Sequence, residues 1–268
     1  MPVQANADRF LGLGQVYDAN RPAVPAAVAD LLCRYARIPR PALVADLGCG
    51  TGLSTRVWTG RAARVVGVEP NPDMRRRAVE SLVGLPGGET IEFREGHSHT
   101  TGLEDASADI VTCSQSLHWM EPEPTFIEAE RILRLGGVFA AVDCDHPPAF
   151  DWEVEAAYLE MTRRVKAFEA RPEFARAVRW KKSGHLTRIK DCGHFRFARE
   201  VVLHGLEEGG AARIEGLARS LGGVSVLLAA GVGEDDLGLT GLRETARRVL
   251  GDAVLPWVIG YRIRLGVK

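Results

Sequence analysis

The sequence lacks the features that are typical of membrane proteins, secreted proteins and proteins stabilised by structural zinc. Its five cysteines are scattered through 268 residues and include no CxxC pair, which argues against a disulfide framework or a zinc knuckle. No apolar run approaches the ~20 residues of a membrane helix. The first residues lack the basic flank and hydrophobic segment of a secretion signal. We therefore expect reduced thiols, no membrane partner and a cytoplasmic location.

An excess of charge of one sign is also missing. The 34 Lys and Arg residues nearly balance the 35 Asp and Glu residues, so the formal net charge is −1. Nucleic-acid-binding proteins usually carry a basic patch together with aromatic stacking positions, and no interleaving of that kind is present. We therefore expect no nucleic-acid partner. The 46% hydrophobic content is enough for one large core.

The first half of the chain alternates between strand and helix patterns. Helical spacing runs over 28–35, begins again at 53, and covers 72–84 and 124–137, where glycines end the pattern. Apolar runs between these segments predict strands at 42–47, 64–69, 91–96, 108–114 and 138–145. This alternation predicts a parallel, doubly wound sheet with right-handed crossovers.

The pattern changes after Pro147. A largely helical stretch at 151–182 and a second at about 207–251 separate two alternating segments, 194–204 and 254–267. We predict an α/β, Rossmann-like seven-stranded sheet of five parallel strands plus a C-terminal strand pair, with a helical cap inserted after strand five. No repeat or linker divides the chain, so we expect one domain over 1–268. Its predicted parts are an N-terminal lid and first helix at 1–40, a ligand-binding core at 41–146, the cap at 147–190, and C-terminal strands and helices completing the sheet at 191–268.

The stretch "LVADLGCGTGLST" at 43–55 predicts a ligand site after the first strand. Alternating glycines permit left-handed backbone angles and a close approach of the backbone to a ligand. Glu69 ends the second strand about 20 residues later, the spacing at which a carboxylate binds ribose hydroxyls. The ligand should therefore contain a nucleoside. A dinucleotide fingerprint would need glycine where Leu53 stands, which disfavours NAD.

Four motifs resemble those of class I S-adenosylmethionine-dependent methyltransferases. "DLGCGTG" and "GVEPNPDM" look like the first two, and "GHSHTTGLEDASADIVTCSQSLHWM" looks like the third and fourth of the methyltransferase type 11 branch, which includes trans-aconitate-type enzymes. "RILRLGGVFAAVD" resembles that branch's helix and fifth strand, and "YDANRPAVP" resembles its cofactor-covering segment. The resemblance covers about 17–143 and implies S-adenosylmethionine as the cofactor.

The resemblance also implies roles for individual residues. Asp46 would order the turn, the glycine turn would pass the amino-acid part of the cofactor, and Glu69 would hold the ribose. Pro70 and Asn71 would flank the adenine, and His97 and Ser98 would border its edge. Ser114 and Gln115, just past strand four, would face the methionine end and the transferred methyl group. The branch commonly has Ala-Glu at 98–99 and proline at 102, and this chain departs from it there. The predicted cofactor-binding residues are Tyr17, Arg21, Asp46, Gly48, Cys49, Gly50, Glu69, Pro70, Asn71, His97, Ser98, Ser114 and Gln115.

A second set of residues is predicted to serve the acceptor. His118 is a candidate general base because imidazole can take a proton near neutral pH, and a structural histidine packed behind Trp119 is the alternative. Trp119 and Asp143 are candidate substrate contacts. The "HSH" and "DCDH" clusters lack ligand spacing within one element, so we predict no metal.

The cap carries a locally basic interval, with arginines at 163, 164 and 179 and lysines at 166, 181 and 182. Acidic residues are interleaved with these cations, so a solvated helix face explains most of the interval. The functional interpretation is that some of the cations recognise an anionic group on the acceptor. We predict methyl transfer to a small, possibly anionic molecule. The alternatives are an NAD(P)-dependent oxidoreductase on a similar fold and a non-catalytic S-adenosylmethionine-binding protein. The methylated atom and the oligomeric state stay open.

Overall fold

The computed structural model describes residues 20–174 and 178–268 and contains one seven-stranded sheet. The strand order is β3-β2-β1-β4-β5-β7-β6. β1 to β5 are parallel, and β7 runs antiparallel to both β5 and β6. The predicted fold class, with five parallel strands and a C-terminal pair, is confirmed. The strands are β1 Val44–Leu47, β2 Val65–Val68, β3 Ile91–Arg94, β4 Ala108–Ser114, β5 Leu133–Cys144, β6 Phe197–Gly209 and β7 Leu255–Val267.

Nine α-helices and four short 3-10 helices surround this sheet in the described residues. None of the described helices is both long and apolar enough to cross a membrane. The α-helices are α1 Ala26–Ala36, α2 Pro72–Glu80, α3 Pro122–Ile132, α4 Trp152–Glu169, α5 His185–Asp191, α6 Ala211–Arg219, α7 Gly222–Ala229, α8 Glu234–Leu237 and α9 Leu239–Leu250. The 3-10 helices are Thr55–Trp58, Gly88–Thr90, Leu117–Trp119 and Lys182–Gly184.

Both faces of the sheet are covered, which explains why its central strands are continuously apolar. On one face, α1 packs Leu32 and its neighbours against alternate sheet residues such as Val44 and Ile263. On the other face, Phe126 of α3 and Ile189 of α5 pack against the intervening residues, including Phe139. Successive strand residues point to opposite faces. Each strand therefore contributes to two cores.

A third core lies within the helical layer beyond the sheet. Buried residues of α4, among them Tyr158 and Met161, pack with Leu217 of α6, Leu242 of α9 and Trp257 of β7. The cap thus includes the helices at 211–250, which the sequence analysis had assigned to completion of the sheet. Within the predicted cap at 147–190, α5 packs on the sheet instead. Helical periodicity shows which face is apolar, but not which partner covers it.

The helix expected to begin at 53 is present as a four-residue 3-10 helix at Thr55–Trp58. Two other predicted boundaries are wrong for local reasons. α3 ends at Ile132, and the "RLGG" that was expected to cap it belongs to β5, where Gly136 at φ 82° lies at an irregular register. β6 continues to Gly209 because it pairs with β7 along 13 positions, so Glu207 and Glu208 are extended.

Candidate functional site

A cavity lies at the carboxyl ends of β1, β2, β4 and β5. The chain passes from β1 to β2 on one side and later to β4 on the other, which makes this edge the topological switch point of the sheet. The described residues that line the cavity come from the glycine turn, the loops after β2, β3 and β4, the first turn of α2, the end of β5, β7 and the segment before α1. The space within the cavity and at its open mouth totals about 1220 Å³.

Asp46 fixes the start of the turn from beneath the cavity. The side chain is buried, and its carboxylate accepts hydrogen bonds from Thr55 Oγ1 at 2.7 Å, Ser54 Oγ at 3.1 Å and Thr112 Oγ1 at 2.7 Å. Burial raises the pKa of Asp46 above its ordinary value, while these three hydroxyls lower it. The residue ties the turn to β4 and does not line the cavity.

The three glycines of the turn all adopt left-handed backbone angles. Gly48, Gly50 and Gly52 have φ of 64°, 58° and 77°, a region that side chains disfavour. A Cβ on Gly48 would lie 2.5 Å from Met120 Cε, and a Cβ on Gly52 would lie 2.6 Å from Phe93 Cζ. A Cβ on Gly50, by contrast, would meet no atom within 4 Å. Gly50 therefore leaves space at the cavity wall that a ligand can enter.

Glu69 joins the turn to the end of β2. Its Oε2 accepts from the Gly50 N–H at 2.9 Å, and its Oε1 accepts from the Asn71 N–H at 2.9 Å. The carboxylate is buried, which raises its pKa, while the two N–H groups lower it. Each oxygen retains an acceptor position, and the residue lines the cavity. This arrangement suits two neighbouring hydroxyl groups.

Pro70, His97 and Ser98 line the same end of the cavity, as predicted for the adenine side. His97 stacks on His99, with ring centroids 5.4 Å apart, and burial lowers its pKa. Asn71 differs from the prediction. Its Oδ1 caps α2 by accepting from two backbone N–H groups of the first turn, so the side chain faces the helix and does not line the cavity.

The opposite end of the cavity is lined by residues from distant parts of the chain. Ser114, Gln115 and Trp119 were predicted there and do line it. Cys49 and Gly48 lie in the wall between the two ends. The predicted Tyr17 lies outside the described residues.

Arg21 lines this end beside Cys144 and Tyr261. Its Nη1 lies 3.2 Å from His146 Nε2, and its Nη2 donates to the Ser220 carbonyl at 3.0 Å. Because guanidinium can only donate, His146 Nε2 must accept, and the ring is neutral. The segment before α1 therefore joins the cap helices to the cavity.

Cys144 and Tyr261 were not predicted to line the site. Cys144 lies within the "DCDH" cluster, which the sequence analysis had considered for metal binding and, at Asp143, for substrate contact. Tyr261 enters from β7, which is remote in sequence. Only the pairing of β7 beside β5, Cys144 opposite Tyr261, places the two together, and no local motif signals it.

His118 lies behind the cavity wall rather than in it. Its ring packs against Trp119 at a centroid distance of 4.9 Å, and its Nδ1 is buried without a partner in the described chain. Burial, followed by the charges of Lys182 and Arg179, lowers its pKa well below the ordinary value. This position matches the alternative interpretation, a histidine packed behind the tryptophan. A direct proton transfer from an acceptor in the cavity is not supported.

Asp143 is likewise separated from the cavity. Its Oδ2 accepts from Arg264 Nη1 at 2.9 Å, and its Oδ1 lies 3.0 Å from Lys182 Nζ. The predicted substrate contact is therefore an ion pair beneath the wall. One ring nitrogen each of His118 and His185 lies within 4.8 Å of the carboxylate and of the other, a grouping that the sequence did not reveal.

Asp143→Ala is expected to lower the free energy of unfolding by roughly 3 kcal/mol, the low end for a broken buried ion pair, because the buried Arg264 loses one of its two carboxylate partners and keeps Glu200. The matched control is Asp145→Ala. That carboxylate pairs with Arg262 while both side chains are about half exposed, so the loss should stay below ~1 kcal/mol. Urea denaturation of both variants measures the difference, and equal losses would show that the buried pair contributes no more than the surface pair.

Three histidines that each have a buried ring nitrogen should stay neutral throughout the pH range of ordinary assays. Burial is the first cause, and it lowers the pKa of His118 strongly, of His185 to about 4 and of His146 to about 3. The unfolded chain binds protons on these rings near pH 6.5 and the folded chain does not, so stability is present above that pH and is lost as the pH falls toward 4.

Ring C–H signals followed by NMR from pH 8 to 5 should not move for these three histidines, and the urea midpoint should fall as the pH drops below 6.5. Titration of the His118 ring near pH 6.5 would show that it is solvated rather than held behind Trp119.

Comparison with known proteins agrees with this architecture. A family model described as a methyltransferase domain matches residues 45–141. An uncharacterized methyltransferase of Mycobacterium tuberculosis is 34% identical over 125 residues, which are 45% of this chain and 46% of that protein. Trans-aconitate 2-methyltransferase of Streptomyces avermitilis is 34% identical over 95 residues, 34% of this chain and 35% of that protein. The matched stretches thus span about half or less of the relatives' length.

The likeness in fold extends further. The solved structure of a putative type II methyltransferase from Anaeromyxobacter dehalogenans has a TM-score of 0.68 at 23% identity and covers 92% of this chain and 97% of that chain. At this identity the comparison concerns the fold. Residues 45–141, which include the glycine turn and Glu69, are therefore similar to a methyltransferase domain.

Proposed function

We propose that the chain transfers a methyl group from S-adenosylmethionine to a small, anionic acceptor. The observation that carries this proposal is one continuous cavity with a nucleoside-type end, formed by Gly50 and Glu69, and a separate end formed by Gln115, Cys144 and Arg21. The open space at Gly50 and the two accepting oxygens of Glu69 fit the cofactor. Its sulfonium supplies an activated methyl group when the cofactor is bound.

The chain's own residues contribute mainly alignment and exclusion of water. Glu69 would accept from the ribose hydroxyls, and the glycine turn would pass close to the amino-acid part. Val142, Cys144 and Tyr261 give the acceptor end a largely apolar wall, which limits water around the reacting atoms. In-line displacement needs the acceptor and the methyl group held on one axis. Because the pKa values of His118, His146 and His185 are lowered, none of these rings is a strong base, and this arrangement favours an acceptor that is already deprotonated.

Two observations support an anionic small molecule. Arg21 lines the acceptor end, and arginine is suited to carboxylates. One relative is named for trans-aconitate, an organic acid. We expect no nucleic-acid substrate, because the chain has almost no net charge and a long polymer would need a basic track.

The experiment is a methyl-transfer assay with methyl-labelled S-adenosylmethionine and a panel of small carboxylic acids, phenols, amines and thiols. We expect label to enter at least one acid, and Glu69→Ala to abolish the transfer. Binding of the cofactor without transfer to any member of the panel would favour the alternative of a non-catalytic binding protein. Reduction of NAD by the protein would favour the oxidoreductase.

A further inference from the structure

Lys182, in the basic cap interval, donates a hydrogen bond to a residue that lines the cavity. Arg163 and Arg164 both pair with Glu160 on the exposed face of α4, and Arg179 pairs with Glu169. Lys182 instead extends toward the sheet, where its ammonium lies 3.0 Å from Asp143 Oδ1 and donates to Gln115 Oε1. Lys182 thus donates a hydrogen bond to Gln115, which lines the cavity, whereas Arg179 reaches the wall by stacking, with its guanidinium carbon 4.4 Å from the Trp119 ring centroid.

Gln115 is held in an unusual conformation at the end of β4. Its φ is 52°, a left-handed angle that is uncommon for residues other than glycine. Its N–H donates to the Val142 carbonyl at 2.8 Å, which fixes the backbone beside β5. Its side chain lines the cavity, so the direction of its amide group decides what a ligand meets there.

Lys182 determines that direction. An ammonium group can only donate, so the amide oxygen of Gln115 must face it and the amide NH2 must face away. Among the described residues, no group accepts a hydrogen bond from this NH2. Two donors of Gln115 are therefore available at the acceptor end of the cavity.

The lysine is itself anchored from below. Asp143 holds Lys182 and also the buried Arg264, whose Nε lies 2.7 Å from Glu200 Oε2. The chain of charges thus runs from β6 to the cavity wall. The ion pair with Asp143 keeps the Lys182 ammonium in one position. The Gln115 amide that it binds is therefore also held in one orientation.

A metal ion is a weaker explanation for the neighbouring His118, Asp143 and His185. Arg188 donates to His185 Nδ1 at 2.8 Å, so in the neutral ring the Nε2 carries the proton and has no lone pair for a metal. Both oxygens of Asp143 already face cations. The ammonium of Lys182 supplies the positive charge at this place.

We propose that Lys182 is a positioning residue, which fixes the Gln115 amide so that its NH2 binds an oxygen of the acceptor next to the transferred methyl group. This inference rests on the proposed function and assigns the acceptor a deprotonated oxygen, such as a carboxylate oxygen. Hydrogen bonds to a charged acceptor are about twice as strong as neutral ones, so the amide favours the anion over its neutral analogue.

The test uses the full chain saturated with S-adenosylhomocysteine. A series of mono-, di- and tricarboxylates is titrated into it by calorimetry, with the corresponding primary amides as neutral probes. The variants are Lys182→Met, Lys182→Arg and Gln115→Glu. Lys181→Met is the matched control, since Lys181 is the exposed neighbour whose side chain has no role in this network.

We expect at least one carboxylate to bind the wild-type and Lys181→Met complexes more tightly than its amide does. Its affinity should fall at least tenfold in Lys182→Met and in Gln115→Glu, and Lys182→Arg should restore part of it because guanidinium also only donates. The affinity of Lys182→Met for S-adenosylhomocysteine should stay within twofold of the wild-type value. This control distinguishes a local effect on acceptor binding from disruption of the whole site.

The inference is overturned if Lys182→Met binds the carboxylate as tightly as Lys181→Met, if the amides bind equally well, or if no carboxylate binds the complex. Failure of S-adenosylhomocysteine itself to bind the wild-type chain is a different result, which overturns the proposed function first.

Discussion

Glu69→Ala is expected to weaken S-adenosylhomocysteine binding more than tenfold. The carboxylate links Gly50 to Asn71 through their N–H groups, and its remaining acceptor positions are those predicted to bind the ribose hydroxyls. A hydrogen bond to a charged group contributes roughly 1.5–3 kcal/mol. Losing one of them already accounts for a tenfold change, since a factor of ten is about 1.4 kcal/mol.

Two further variants test this explanation. Glu69→Gln keeps the shape but replaces one acceptor with an NH2 that faces a backbone N–H, so its loss should approach that of Glu69→Ala. Glu95→Ala removes a carboxylate that is exposed and pairs with Arg75, and it should leave affinity unchanged. Calorimetry gives all three dissociation constants. A folded Glu69→Ala protein with wild-type affinity would show that the ribose site is misassigned.

Gly50→Ala is expected to weaken S-adenosylhomocysteine binding at least tenfold while costing only ~1–2 kcal/mol of stability. The added methyl group meets no protein atom within 4 Å, so the folded chain accommodates it apart from the strain of a φ of 58°. The space that it enters is the space that we assign to the cofactor. The loss should therefore appear mainly in binding.

Gly84→Ala is the matched control, because Gly84 also has a positive φ, 73°, and open space around it, but lies in the turn after α2 rather than at the cavity. It should match Gly50→Ala in stability and the wild type in affinity. Gly52→Ala should be the most destabilising of the three, since its methyl group would lie 2.6 Å from Phe93 Cζ. Equal affinities for Gly50→Ala and Gly84→Ala would place the ligand elsewhere.

The cofactor end of the site could be predicted because its signals are local. The turn, Glu69 and the residues around His97 each follow directly from a strand, and parallel strands bring their carboxyl ends to one edge. Asn71 shows the limit of this reasoning. It stands at the predicted position, but asparagine is also a preferred N-cap, and the start of α2 uses its side chain for that purpose.

The acceptor end could not be predicted in the same way, because it is assembled from residues far apart in sequence. Cys144 and Tyr261 meet through antiparallel pairing, and Lys182 reaches Gln115 from the cap. His185 joins His118 and Asp143 only because α5 packs on the sheet. A single sequence gives the amphipathic faces of the cap helices, but not their partners.

Calorimetric titration of the purified protein with S-adenosylmethionine, S-adenosylhomocysteine and NAD, side by side, tests the central claim most directly. We expect micromolar binding of the first two and no binding of NAD, since the turn lacks the third glycine of a dinucleotide site. Binding of NAD alone, or of none of the three, would contradict the assignment of this cavity to S-adenosylmethionine.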